Sequence, residues 1–250
     1  MLIQLIDVHK SIGGKTILDG VSLSVEPGEN VVIIGRSGTG KTVTLKHITG
    51  LMRPDSGRVM VDGTDVTNAR PAQLRQVRRR LGVLFQSGAL INWMSVLDNV
   101  ALPLRELSDM AEEEIRAAAE EKLALVDLAD AGHLMPDSLS GGMRKRAGLA
   151  RALVREPEIM LYDEPTSGLD PVTANHINQL ILDMQHKLDI TSVVVTHDMQ
   201  SAFMIADRIA MLHEGRVIQT GTPQEIQQTD DPVVRQFITG DTEGPVGAGS

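Results

Sequence analysis

The chain has 250 residues, a hydrophobic content of 42% and a formal net charge of −9 at pH 7. This length can bury one substantial core, or one core with a subdomain inserted into it. The absence of cysteine excludes a disulfide scaffold, a thiolate metal site and a cysteine nucleophile. The acidic balance, with only three Phe, one Trp and one Tyr, argues against nucleic acid as a partner.

The N-terminal segment, residues 1–7, lacks the basic start and the apolar stretch of a signal peptide. Further along, no apolar run approaches the ~20 residues that a membrane-spanning helix needs. We therefore expect a protein that stays in the cytoplasm and serves any membrane through a partner.

The first third of the chain alternates strands, turns and helices. Residues 2–34 favour short strands, and residues 30–34 form the apolar run typical of a strand buried on both faces of a parallel sheet. A glycine-rich loop and a helix follow. The pattern then predicts strands at 58–63 and 83–85, with a helix at 71–80 that begins with proline.

The middle of the chain, residues 87–155, has a helical pattern and is interpreted as an insertion. Asp109 and Glu112 have the spacing of a capping box, which predicts a helix start. One face of that helix would then be buried, formed by Ile115, Ala119, Leu123 and Val126.

Strand–helix alternation resumes after the insertion, with strands at 159–162 and 192–195 and a hairpin at 209–221 that turns at Glu214 and Gly215. Caps followed by proline predict helix starts at Asp170 and Thr222. The first of these helices should bury Ile177, Ile181, Met184 and Leu188. Residues 244–250 have the composition of a terminal tail. The alternation predicts a doubly wound α/β fold.

The loop after the strand at 30–34 matches G-x-x-x-x-G-K-[ST] in full and has the strand–loop–helix context of a phosphate-binding loop. Its glycines allow backbone N–H groups to point at phosphate oxygens, and the helix start adds a favourable dipole. The alternative, a chance glycine-rich turn, is disfavoured by that context. The predicted ligands of the phosphates are Gly35, Arg36, Ser37, Gly38, Thr39, Gly40, Lys41 and Thr42.

Polar side chains follow three later strands. Asp163 is placed to hold Mg²⁺ and Glu164 to polarise an attacking water. His197 ends the next strand, at the sheet edge where ligands of open α/β folds bind. Acidic strand ends and structural histidines are common, so each of these residues alone is weak evidence for a catalytic site. Gln86, which follows the strand at 83–85, is weaker evidence still, because a polar residue at a strand end is ordinary.

The segment Leu139, Ser140, Gly141, Gly142 and Met143 resembles the LSGGQ signature of ABC ATPases, with methionine in place of glutamine. In that family the signature starts a helix and contacts the γ-phosphate of ATP bound to the other subunit. The other family motifs are present in order, including a D-loop at 167–170, and the resemblance spans roughly residues 2–225.

The resemblance implies a RecA-like P-loop core with an antiparallel β subdomain and an inserted helical subdomain. The core would comprise residues 1–86 and 156–225, the helical signature subdomain 87–155, and a C-terminal helix and tail 226–250. It also implies a homodimer that hydrolyses ATP with Mg²⁺. Ser140, Gly141 and Gly142 would bind the partner's ATP. The catalytic residues would be Glu164, His197 and Gln86. The residues that hold Mg²⁺ would be Thr42, Gln86 and Asp163.

One element departs from the family, whose members commonly stack adenine on an aromatic residue before the first glycine pair. Residues 8–14 contain no aromatic side chain, and Ile12 is the candidate to pack on the base. We therefore expect weak discrimination between ATP and GTP.

A narrower resemblance, to the ATPases of Mla-type, MCE-associated phospholipid transporters, rests on residues 85–90, 99–106, 134–136 and 231–237 and on Gly244-Pro245. It implies an integral membrane permease of the Mla type, with an MCE-domain protein and a small accessory subunit as further partners. It also implies a tail that reaches the partner ATPase and a location on the cytoplasmic face of the inner membrane. Leu90, Trp93 and Leu97 are the candidate groove for the permease.

Other interpretations stay open. The ATPase could serve another transported substrate, or belong to the soluble ABC ATPases of DNA repair or translation, although those carry long coiled coils, zinc cysteines or two cassettes. A non-hydrolysing binder would have lost Glu164 or the signature. The arginines at 75–80 and the basic residues at 144–151 are expected to form solvated helix faces or intersubunit ion pairs, or, for the first group, to face anionic lipid.

Overall fold

The computed structural model describes residues 1–245, and within them the chain forms two sheets surrounded by helices. The strands are β1 (Ile3–Ile12), β2 (Lys15–Val25), β3 (Asn30–Ile34), β4 (Ser56–Val61), β5 (Thr64–Asp65), β6 (Leu81–Leu84), β7 (Ile159–Asp163), β8 (Thr191–Thr196), β9 (Arg208–His213) and β10 (Arg216–Gly221). The α-helices are α1 (Lys41–Ile48), α2 (Pro71–Arg79), α3 (Val96–Leu107), α4 (Glu112–Leu125), α5 (Gly141–Leu153), α6 (Pro171–Leu188), α7 (Met199–Ile205), α8 (Pro223–Gln227) and α9 (Pro232–Thr239).

The larger sheet has the order β10-β9-β3-β8-β7-β6, and its strands are parallel except for β10. Every residue of β3 and β8 is buried, which explains the apolar runs at 31–34 and 193–195 in these strands. The carboxyl ends of β3, β7 and β8 lie side by side. The phosphate loop, the Asp163–Glu164 pair and His197 follow these three strands, so the sheet brings them to one edge.

The smaller sheet is antiparallel, with the order β2-β1-β4-β5. It packs on one face of the larger sheet, and the shared core includes Ile3, Val59 and Val61 from one sheet and Val31 and Leu161 from the other. A parallel α/β core with an antiparallel β layer and added helices confirms the predicted fold class.

Helices α3, α4 and α5 pack together on the opposite face of the sheet. The predicted face of Ile115, Ala119, Leu123 and Val126 is confirmed, since each of these residues is buried. The predicted helix start is wrong, because the cap is Ala111. Its N–H donates to the Glu114 carboxylate at 2.9 Å. The acid whose side chain bonds back to the N-cap is therefore Glu114. It belongs to a first turn of three glutamates, whose charges complement the helix dipole.

Helix α6 starts where the sequence predicted, since the Asp170 carboxylate accepts from the N–H groups of Val172 and Thr173 at 3.0 and 3.1 Å. Its buried stripe includes Ile177, Ile181 and Met184 as expected. The expected burial of Leu188 is wrong, because that side chain is 48% exposed. Leu188 is the last helical residue, and the left-handed Asp189 after it turns the chain away.

The structure also tests the predicted hairpin turn, the strand predicted at 83–85 and the predicted C-terminal tail. The hairpin turn at Glu214 and Gly215 is confirmed, with φ of 47° and 76°, as its tight turn requires. The strand predicted at 83–85 ends one residue earlier, because β6 ends at Leu84; Phe85 lies outside it and is 42% exposed. Of the predicted tail, only residues 244 and 245 are described, and 246–250 lie outside the described residues. Helices long and apolar enough to cross a membrane do not occur in residues 1–245.

The segment after β6 lies directly on α5. A Cβ on Gly88 would lie 2.7 Å from the Arg144 carbonyl oxygen, and one on Gly148 would lie 2.8 Å from the Gly88 carbonyl oxygen. Arg151 reinforces this contact by donating to the carbonyls of Ala89 and Gly88 at 2.5 and 3.2 Å. Because no side chain larger than hydrogen fits between the two backbones, this segment is fixed to α5.

Candidate nucleotide site

An open cavity of about 620 Å³ lies at the carboxyl edge of the larger sheet. It is lined by residues from the phosphate loop, from the ends of β6, β7 and β8, and from the N- and C-terminal parts of the chain. These residues are Ile17, Arg36, Ser37, Gly38, Gly40, Lys41, Thr42, Val43, Gln86, Glu164, His197 and Phe237. The structure thus places most of the predicted loop, Gln86, Glu164 and His197 around one cavity.

The phosphate loop has the backbone that its glycines allow. Gly38 and Gly40 have φ of 81° and 104°, and a Cβ on Gly35 would lie 2.3 Å from the Leu212 carbonyl oxygen. The loop leads straight into α1, whose first turn has no side-chain cap. Lys41, Thr42 and Val43 of that turn line the cavity, and their N–H groups have no side-chain acceptor, so they are donors suited to an anion.

Lys41 is 6% exposed and crosses the inside of the loop. Its Nζ donates to the carbonyls of Gly35 and Arg36 at 2.7 and 3.1 Å, and lies 3.5 Å from Glu164 Oε1. Burial lowers the pKa of Lys41, and the Glu164 carboxylate opposes that shift. The ammonium group thus lies where the loop, the sheet edge and a carboxylate meet.

Asp163 is joined to the phosphate loop by a hydrogen bond. Thr42 Oγ1 donates to Asp163 Oδ1 at 2.9 Å, across two elements that are far apart in sequence. Burial raises the pKa of Asp163, and the Thr42 hydrogen bond opposes it. Gln86 lines the same cavity, but its Nε2 lies 3.5 Å from Ser167 Oγ. The structure therefore pairs Thr42 with Asp163, and it places Gln86 nearby without a contact to either.

Glu164 lies between two basic side chains. Its Oε2 is 2.8 Å from His197 Nδ1, and its Oε1 is the oxygen that faces Lys41. Its side chain is 12% exposed, whereas that of His197 is 60% exposed. Glu164 also has a left-handed backbone, with φ of 50°, held by its N–H donating to the Val195 carbonyl at 2.9 Å. A non-glycine residue in this region is strained, a feature that clusters at functional sites.

The signature residues do not line this cavity. Ser140 caps α5, its Oγ accepting from the Met143 N–H at 3.2 Å, and Ser140 and Gly141 are exposed. Gly142 is buried, and a Cβ there would lie 2.4 Å from the Thr173 side chain. The exposed helix start is thus separate from the subunit's own phosphate loop.

Three apolar cavity residues were missed by the sequence analysis: Ile17, Val43 and Phe237. Ile12, the residue expected to pack on the base, lies near the β1–β2 turn, is 45% exposed and is not among the lining residues. Phe237 comes from α9 at the other end of the chain; its segment, 231–237, entered the sequence analysis through the narrower resemblance, which gave no sign that Phe237 lines this cavity.

The basic residues after the signature differ from expectation. Arg144 is exposed, but Arg146 Nη1 donates to the carbonyls of Val126 and Asp127 at 3.0 and 2.9 Å. Lys145 is 5% exposed, and Arg151 holds the segment after β6. The prediction of a solvated face or intersubunit ion pairs is wrong for Lys145, Arg146 and Arg151, because backbone carbonyls inside the subunit accept from them.

Known proteins resemble this chain in sequence and in fold. The sequence profile of the family described as ABC transporter matches residues 18–167. The chain is 45% identical over 245 residues to a protein of Mycobacterium tuberculosis named probable ribonucleotide transport ATP-binding protein mkl, covering 98% of this chain and 68% of the relative. It is 41% identical to the intermembrane phospholipid transport system ATP-binding protein MlaF of Escherichia coli, covering 98% of this chain and 91% of the relative. An ATP-binding cassette solved as a dimer in a post-hydrolysis state with ADP and Pi matches with a TM-score of 0.82 at 35% identity, over 88% of this chain and 98% of that one.

Proposed function

The chain belongs to the ABC transporter family of ATPases, and on that basis we propose that it powers phospholipid transport across or between bacterial envelope membranes. The observation that carries the lipid assignment is the identity to MlaF, which extends over nearly the full length of both chains. The cassette motifs alone do not select a substrate, since they serve every member of the family.

We infer the following roles in ATP hydrolysis, which depends on positioning and electrostatics. The loop N–H groups and Lys41 bind the phosphates. Glu164 orients the attacking water and accepts its proton, and His197 holds the γ-phosphate side. Gln86 lines the same cavity and completes the water's surroundings.

Mg²⁺ fits the residues present, because Thr42, Asp163 and Gln86 offer the oxygen ligands that this ion prefers. Within residues 1–245, no three His, Asp or Glu side chains converge as a ready-made metal cage. This suits an ion that keeps several waters and shares phosphate oxygens. When bound, the ion neutralises charge on the phosphates, and the Thr42–Asp163 hydrogen bond holds its ligands in place.

The active unit in this proposal is a homodimer, in which the exposed start of α5 closes over the partner's nucleotide. Support comes from the dimeric cassette with ADP and Pi, and from the separation of Ser140 from its own cavity. We propose the subdomain limits stated above, 87–155 for the signature subdomain and 226–250 for the C-terminal helix and tail, which reaches the partner.

The membrane connection would be an integral permease of the Mla type, with an MCE-domain protein and a small accessory subunit, at the cytoplasmic face of the inner membrane. Of the candidate groove residues, Trp93 is 82% exposed, which suits a contact with another protein. Leu90 is half-buried and Leu97 is buried among the helices, so Trp93 carries this part of the proposal.

Ribonucleotide transport is the second candidate, because the mycobacterial relative bears that name. A single experiment separates the two. The ATPase is purified with the permease that co-purifies with it and reconstituted in proteoliposomes. We expect ATP-dependent movement of a fluorescent phospholipid, abolished by Glu164→Gln. ATP-dependent movement of a radiolabelled ribonucleotide, with no lipid movement, would reverse the assignment.

A further inference from the structure

Lys145 is a buried charged residue to which no function is assigned above. It lies on α5 just over one turn after the Ser140 cap, about 7.5 Å along the helix axis. Its neighbour Arg144 is exposed, whereas Lys145 is 5% exposed and faces the sheet. A buried ammonium group is costly unless hydrogen bonds compensate it, so its partners are informative.

Those partners belong to the catalytic segment. Lys145 Nζ donates to the Glu164 carbonyl oxygen at 2.8 Å and lies 3.4 Å from Ser167 Oγ. Burial lowers the pKa of Lys145 to about 8, against the opposing effect of the Glu164 and Asp163 carboxylates. The lysine thus spans from the signature helix to the peptide unit of the residue that faces the attacking water.

The Glu164 peptide unit needs such support. Its left-handed φ of 50° is costly for a residue with a side chain and persists only where surrounding contacts fix it. The N–H of Glu164 is held by Val195, and Lys145 holds its carbonyl. These two bonds hold the two peptide units that flank the Glu164 Cα, so together they fix its φ and ψ and, with them, the direction in which its side chain leaves the backbone.

We propose that Lys145 is a positioning residue that couples the two nucleotide sites of the dimer. The start of α5 contacts nucleotide bound by the partner, and Lys145 on the same helix sets Glu164 in its own subunit. Closure over the partner's ATP therefore aligns the carboxylate of the other site. The inference rests on the proposed dimer.

The test compares Lys145→Met, which keeps the length and removes the donor, with Lys145→Gln, which keeps a neutral donor. Arg116→Met is the matched control, an exposed cation on α4 that pairs with Glu120. ATPase rates are measured against ATP concentration. For Lys145→Met we expect kcat to fall about 10-fold, as the loss of one hydrogen bond near 1.4 kcal/mol implies, with KM changed less than about twofold. The Hill coefficient should drop towards one, Lys145→Gln should recover part of kcat, and Arg116→Met should match the wild type.

Dimer formation is measured separately, by size-exclusion chromatography of Glu164→Gln with and without Lys145→Met in the presence of ATP. We expect both proteins to dimerise, which locates the defect after closure. Unchanged kcat in Lys145→Met, or a lower kcat with wild-type cooperativity, would overturn the coupling role while leaving the dimer intact. If Glu164→Gln alone stays monomeric with ATP, the proposed dimer fails, and the inference fails with it.

Discussion

His197 Nδ1 lies 2.8 Å from Glu164 Oε2, so the exposed imidazole and the shielded carboxylate are already paired across the ends of two neighbouring strands. This contact fixes the direction of one carboxylate oxygen, while the other faces Lys41. In the proposed mechanism this pair orients the attacking water.

Replacement of Glu164 by glutamine should abolish turnover and leave ATP binding intact. The amide keeps the size of the side chain but cannot accept a proton, so we expect a loss of about 10²- to 10⁴-fold in kcat. The measurements are phosphate release and binding of a fluorescent ATP analogue. Glu156→Gln, a change at an exposed glutamate beyond α5, is the control. Turnover near the wild-type rate would remove Glu164 from its role.

The cavity should bind ATP and GTP with little preference. Its apolar walls are formed by Ile17, Val43 and Phe237, which would contact a base by dispersion. These side chains offer no hydrogen-bonding group that could distinguish adenine from guanine. We expect the two saturating rates to agree within about threefold, and Phe237→Leu to raise KM for both nucleotides about threefold to tenfold, since aromatic contacts contribute about 0.5–1.5 kcal/mol.

Val233→Ala is the control for Phe237, because Val233 is a half-buried residue of the same helix that does not line the cavity. A GTPase rate far below the ATPase rate would contradict the prediction of weak selectivity. An unchanged KM in Phe237→Leu would show that the nucleotide does not reach α9.

Removal of the Asp163 charge should weaken the response to Mg²⁺. Asp163→Asn keeps a partner for Thr42 but loses the carboxylate, so the Mg²⁺ concentration for half-maximal activity should rise by about 10-fold or more. The titration starts from protein treated with a chelator. Asp183→Asn, a change to a surface carboxylate paired with Lys187, should leave the curve unchanged. A shift of equal size in both variants would argue against a metal role for Asp163.

His47 should make the fold sensitive to acid. It is 1% exposed, its Nδ1 lies 2.8 Å from the Met52 carbonyl oxygen, and its Nε2 has no partner. Burial lowers the pKa of His47, with Lys10 acting in the same direction and Asp55 against it. The folded-state pKa of His47 lies below its unfolded-state pKa of about 6.5. The neutral ring therefore stabilises the fold at pH values above the unfolded-state pKa. That contribution is lost as pH falls through the folded value.

The measurement is Tm at pH 7.5 and pH 5.5. The drop in Tm should be smaller in His47→Asn than in the wild type, although the variant starts from a lower Tm. His186→Asn, a change at an exposed histidine, should show the same drop as the wild type. Equal drops in all three proteins would assign the acid sensitivity to other groups.

Much of the fold was predictable, because buried parallel strands contain apolar runs and helix caps are local signals. Strand β8 and the start of α6 are examples. The start of α4 was not predictable, because Glu112 and Glu114 each follow a possible cap by three residues. The bond back to the helix start forms at Glu114, with Ala111 as the cap, and not at Glu112.

The site was predictable where a motif specifies chemistry, and less so where packing decides. The residues that line the cavity from the phosphate loop, β7 and β8 were all named from sequence, and their roles remain predictions. Phe237 and Lys145 were missed for another reason. Each acquires its neighbours through tertiary contacts with residues distant in sequence, and a basic run gives no sign of which member turns inward.

The glycine contact between Gly88 and Gly148 has a mechanical consequence. The backbone after Gln86 and helix α5 touch at these glycines with no side chain between them, so the segment that carries Trp93 and the start of α5 should move together. A force applied to this segment by a bound protein would then be passed to the helix that Ser140 caps. Gly148→Ala would force the two backbones apart, because its methyl group would lie 2.8 Å from the Gly88 carbonyl oxygen, and we expect it to weaken this connection.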